Sequence, residues 1–133
     1  MSRVTSTIFA TVLSLTASAA IAVPPQHLIS HNNTNFYVQA HINGYTDPER
    51  VVKPNSTKKT PFLPLMLLCV AKPSACPTTI SINGTKVFDL EINSRNGAIN
   101  IEGTQLKKDG YILTIIKNGP TQGNVEVDIS PAA

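Results

Sequence analysis

Tryptophan is absent from this chain of 133 residues, and the 4 phenylalanines and 3 tyrosines make the aromatic share small. Platforms that stack bases on aromatic faces are therefore not expected. Charge is also sparse: 11 Lys and Arg face 8 Asp and Glu, with no long run of either sign. Nucleic-acid binders concentrate a basic stripe, so a nucleic-acid partner is not expected. No G-x-S-x-G, H-E-x-x-H, phosphate-binding loop or dinucleotide glycine pattern occurs. Neither catalytic residues nor a cofactor are expected, and the chain reads as a non-enzyme. Sustained helical periodicity is missing too. Cysteine occurs only at Cys69 and Cys76.

What those two cysteines mean depends on the compartment. The chain opens Met1-Ser2-Arg3, continues through Ile8, Phe9, Val12 and Leu15, and reaches small residues ending Ala20-Ile21-Ala22. A short positive start, an apolar centre too short to span a bilayer and an A-x-A-like exit form a secretory signal peptide, assigned to 1–22. Residues 23–133 then form a single secreted domain, periplasmic or extracellular, without a transmembrane segment. In that oxidising setting an isolated cysteine pair is most simply a disulfide. A metal clip lacks further Cys or His ligands at suitable spacing, and a redox couple lacks the C-x-x-C arrangement. Closing a loop of about eight residues restricts the unfolded chain by about 2.5 kcal/mol. The pair reads as a staple.

Strands and turns dominate the rest. Asn43-Gly44, Asn83-Gly84, Asn96-Gly97, Asp109-Gly110 and Asn118-Gly119 suit the positive φ angles of tight hairpins. Between them, apolar residues alternate with polar ones, as half-buried strands require. The expected core comprises Phe36, Val38, Ile80, Ile82, Phe88, Leu90, Ile99, Ile101, Leu113, Ile115, Val125 and Val127. Tyr111 to Ile116 is apolar on both faces, which suggests a central or covered strand. Phe62 to Ala71 is read as a buried strand, with no helix anywhere. The expected fold is an all-β antiparallel sandwich, jelly-roll or immunoglobulin-like, stapled by one short disulfide loop.

Gly44 to Pro61 has a different character: polar, with three prolines, and read as a long connection with at most a short strand at Val51-Val52. It gathers Arg50, Lys53, Lys58 and Lys59 against Asp47 and Glu49. These four cations are the candidate contacts for an unknown protein or anionic surface ligand, because exposed loops on a rigid scaffold commonly carry recognition. The functional expectation is a non-catalytic binding module. The alternative is a subunit of a surface or extracellular assembly formed through strand-edge pairing.

Other polar residues carry less. On one strand, His27 and His31 would stand about 13 Å apart, too far to share an ion, and no metal site is expected. Asp89, Glu91, Glu102, Glu126 and Asp128 alternate with apolar residues or follow them, and read as solvated rather than catalytic. Asn-x-Ser/Thr begins at Asn32, Asn55 and Asn83, close to the chance number of about two for this composition.

Several short motifs recur together: Asn32-Asn33-Thr34, Ile42-Asn43-Gly44, Val52-Lys53-Pro54-Asn55-Ser56, the C-x-x-x-P-S-x-C stretch from Cys69 to Cys76 followed by alternating residues to Ile82, and Asp109-Gly110-Tyr111. In these the chain resembles small secreted proteins of Legionella-type gammaproteobacteria. The resemblance implies secretion and a β-sandwich, and it implies no particular activity.

Overall fold

The computed structural model describes residues 25–117 and 124–132. The expected signal peptide and the Asn118-Gly119 turn lie outside the described residues. Within them the strands are β1 (His27–Asn32), β2 (Val38–Ile42), β3 (Tyr45–Val52), β4 (Ser56–Pro61), β5 (Cys76–Ile82), β6 (Thr85–Ile92), β7 (Ile99–Asn100), β8 (Gln105–Lys108), β9 (Tyr111–Lys117) and β10 (Asn124–Pro131). One helix, α1 (Leu63–Leu68), separates β4 from β5.

Three hairpins form where the turn dipeptides place them. Asn43 and Gly44 have φ of 50° and 80°, Asn83 and Gly84 53° and 78°, and Asp109 and Gly110 51° and 85°. Both central residues lie in the left-handed region, where Gly is unstrained and Asn or Asp is tolerated, so two residues suffice to reverse the strand. Asn96-Gly97 lies instead in the longer connection between β6 and β7.

The strands form two five-stranded sheets, ordered β4-β1-β10-β9-β8 and β3-β2-β5-β6-β7. Every pairing is antiparallel except β1 with β10, which runs parallel from His27↔Asn124 to Asn32↔Ile129. The fold is a sandwich-like, nearly all-β structure with one parallel pair. One core cluster joins the two sheets, including Val38, Ile42, Val52, Ile82, Phe88, Leu90, Leu113, Val125 and Ile129.

Several expectations need correction. The segment 44–61 is not a long connection: β3 and β4 occupy most of it, as the end strands of the two sheets. Their polar composition suits end strands, where charge and proline discourage pairing with another chain. Phe62 to Ala71 is not a strand. Pro64 sits in the first turn of α1, where its missing N–H is not needed, and Phe62, Leu65 and Cys69 turn inward at helical spacing. Phe36 is 41% exposed because β2 begins only at Val38, so alternation does not govern it. Ile80, Ile101, Ile115 and Val127 pack against the core but are only partly buried.

The expected Cys69–Cys76 bridge is present, with Cα atoms 5.5 Å apart and both residues buried. It ties the end of α1 to the first residue of β5. The loop it closes is docked: the Pro73 carbonyl accepts from the Ser94 backbone N–H at 2.7 Å and from Ser94 Oγ at 3.1 Å.

A polar corner secures another part of the sandwich. Asn32, 1% exposed, donates through Nδ2 to the carbonyls of Phe36 at 2.7 Å, Val52 at 3.0 Å and Lys53 at 3.0 Å. Its Oδ1 accepts from the backbone N–H and the hydroxyl of buried Thr34. One side chain thereby joins the β1–β2 connection to the end of β3. The Asn32-Asn33-Thr34 motif is a structural corner, and its first asparagine is not on the surface.

Candidate functional site

The structure separates the four candidate cations. Alternation along β3 turns Arg50 inward, leaving its side chain 8% exposed, and Arg50 Nη1 donates to Asp47 Oδ2 at 2.7 Å. Lys58, on the neighbouring end strand β4, is half-buried and borders the same space between the sheets. Lys53 and Lys59 are exposed. Arg50 and Lys58 therefore converge on the interior, whereas Lys53 and Lys59 face solvent apart from them. Asp47 belongs with the inward pair. The Glu49 backbone N–H, 2.9 Å from Asp47 Oδ1, together with the Arg50 guanidinium and the Lys58 charge, holds its carboxyl below the usual carboxylate value.

Beneath these cations lies a cavity of about 50 Å³. Leu28, Ala40, Ile80, Leu113, Val127 and Ile129 supply apolar walls, while Ser30, Thr60, Arg50 and Lys58 add polar atoms. Leu28, Ala40, Ile80 and Val127 face the interior and are nevertheless only partly buried. The sheets leave a slot here.

Two of the histidines act as cross-strand ties. His31 in β1 has Nδ1 2.7 Å from Thr57 Oγ1 of β4 and Nε2 2.5 Å from Glu126 Oε2 of β10. His41 in β2 has Nδ1 2.7 Å from Thr46 Oγ1 of β3 and Nε2 2.9 Å from Ser81 Oγ of β5. Each imidazole uses both ring nitrogens to link the strands flanking its own. The two belong to different sheets, and the described residues hold no group of three or more metal-ligating side chains. Thr57, His31 and Glu126 have the composition of a nucleophile, a base and an orienting acid. Their side chains, however, lie across three adjacent strands of one ladder, which is the arrangement cross-strand pairing produces by itself.

A second surface was not legible in the sequence. The outer side of α1 and the turn after it expose Leu63, Leu67 and Val70 at 62%, 65% and 70%, and Tyr45 is 59% exposed. Tyr45, Leu67 and Val70 line one shallow depression with Asn43, whose Nδ2 donates to the Leu68 carbonyl at 3.0 Å. The signal was the helical spacing of Phe62, Leu65 and Cys69, which leaves 63, 67 and 70 on the other side.

The charged and apolar surfaces described so far carry no identity of their own; comparison with known proteins supplies one. A family model described as the type II secretion system (T2SS) substrate NttC matches residues 1–126. The crystal structure of the Legionella pneumophila type II secretion system substrate NttC aligns with a TM-score of 0.66 at 22% sequence identity, covering 80% of this chain and 98% of that one. At that identity the likeness concerns the fold. No curated protein matches the chain.

Proposed function

Since the chain belongs to the NttC family of type II secretion substrates and is a secreted protein, we propose that it works outside the cytoplasm as a non-catalytic binding module for an anionic partner. The observation carrying this reading is the split among the cations. Asp47 is engaged by Arg50, while Lys53 and Lys59 remain exposed. Neither has an ion pair among the described residues. Lys59 is held on β4 opposite Ile29 of β1, and Lys53 directly follows β3 with its carbonyl bound by Asn32 Nδ2, so both backbones are fixed and less freedom is lost on binding than on a loose loop. With only two exposed charges involved, attraction is weak and falls as salt screens it.

Assembly through strand edges is the less favoured reading. End strand β3 contains Pro48 and the inward-facing Arg50, β4 has the inward-leaning Lys58, β8 bears Lys107 and Lys108, and β7 is two residues long. Each feature opposes edge-to-edge pairing.

The test compares two charge-matched double substitutions, Lys53→Ala with Lys59→Ala and Lys107→Ala with Lys108→Ala. The probes are a sulfated-polysaccharide resin and vesicles of anionic phospholipid. Retention on either probe should be lost with the first pair and kept with the second. Equal loss from both pairs would leave only non-specific charge attraction and refute a localised site.

A further inference from the structure

The slot beneath Arg50 and Lys58 combines two features that ordinary core packing avoids. Its walls are apolar residues that face inward without being fully covered: Leu28, Ala40, Ile80 and Val127. Its rim is cationic, and only part of that charge is neutralised. Arg50 uses Nη1 for Asp47, and Lys58 has no ion pair among the described residues. An arginine carries five N–H donors, so the Asp47 contact leaves capacity for a second anion. Walls that are mostly apolar favour an apolar tail over water, while Ser30 and Thr60 add only two uncharged polar side chains to the lining. The rim adds a preference for a negative head on that guest.

Size limits the guest. The cavity of about 50 Å³ is a third of the roughly 150 Å³ that admits benzene, which leaves room for an alkyl tail of about two or three carbons. We propose that this slot binds a small amphiphilic monocarboxylate of about three to four carbons, with its alkyl tail among Leu28, Ala40, Ile80 and Val127 and its carboxylate between Lys58 and Arg50. The site is distinct from the exposed Lys53 and Lys59 surface and does not rest on the anionic-partner reading. Inward charges on end strands also protect an edge, but edge protection alone requires no uncovered apolar wall behind them.

The experiment titrates the oxidised protein with butyrate, butanol and acetate, following side-chain methyl resonances by NMR and heat by calorimetry. Butyrate should bind, with shifts concentrated at the methyls of Leu28, Ala40, Ile80 and Val127. Butanol should bind at least about ten-fold more weakly for want of a charge-assisted contact. Acetate, lacking a tail, should bind more weakly still. Lys58→Met keeps the alkyl stem and removes the charge, and it should weaken butyrate about ten-fold while leaving butanol unchanged. Ala40→Leu should fill the slot and abolish binding of both. Lys53→Ala with Lys59→Ala should leave butyrate binding intact, which separates failure of this site from failure of the surface reading. Absence of butyrate binding at millimolar concentration overturns the proposal. So does equal affinity for butyrate and butanol, or for butyrate and acetate. These comparisons on the unsubstituted protein decide the matter even if Ala40→Leu does not fold.

Discussion

Replacing Asn32 tests whether the polar corner holds the sandwich together. Asn32 offers two N–H groups to three carbonyls, those of Phe36, Val52 and Lys53, and accepts from both the backbone and the hydroxyl of Thr34. Asn32→Ala leaves the buried Thr34 N–H without its acceptor, a loss of about 1–3 kcal/mol. It also removes the hydrogen bonds to the carbonyls, each contributing about 0.5–1.5 kcal/mol. Some of those carbonyls regain water when the side chain goes, so the expected total is about 3–5 kcal/mol rather than the full sum. That is a large share of the roughly 5–15 kcal/mol by which folded domains are stable. Asn32→Asp separates hydrogen bonding from cavity formation, because its shape is nearly unchanged while the donors become acceptors facing carbonyl oxygens. It should be at least as damaging near neutral pH, where a buried carboxylate also adds a desolvation penalty. Urea unfolding of the oxidised protein provides the assay, with the midpoint falling and the slope unchanged. Asn33→Ala, at the exposed neighbouring position, should stay within about 0.5 kcal/mol. An Asn32→Asp midpoint close to that of the unsubstituted protein would refute the assigned role.

Two further perturbations probe the segments whose sequence was misleading. Residues 65 and 67 would share a face in a strand but lie apart on α1, where Leu65 is buried and Leu67 is 65% exposed. Leu65→Ala should therefore cost about 2–5 kcal/mol and Leu67→Ala no more than about 0.5 kcal/mol; similar losses from both would contradict the helix. Asp47 has a folded-state pKa below its ordinary value of 3.8. The stability it contributes is thus present above 3.8 and lost as pH falls through the lower folded value. The difference in melting temperature between the unsubstituted protein and Asp47→Asn should shrink across that acidic range; a difference independent of pH there would show that the Glu49, Arg50 and Lys58 contacts do not act on this carboxyl.

The turn dipeptides were the most legible part of the sequence because their mechanism is local. Asn43-Gly44, Asn83-Gly84 and Asp109-Gly110 need only their own φ angles to reverse the chain. The short apolar run after Phe62 was ambiguous for an equally physical reason: where nearly every position is apolar, periods of 2 and 3.6 cannot be told apart. Tertiary packing of Phe62, Leu65 and Cys69 selected the helix. The candidate site was least legible, because reading polarity as outwardness fails on the end strands of a sandwich. There a long cationic side chain can lie along the slot between two sheets and still bring its head to water. Val52 is buried on β3, and two-residue alternation from Val52 sends Arg50 inward too. The neighbouring polar residues concealed that register. Once Arg50 faces inward, Asp47 becomes its counter-ion and Lys58 its neighbour across the slot. Of the four cations only Lys53 and Lys59 then remain exposed, so residues that gather in the sequence do not form one cluster in the fold.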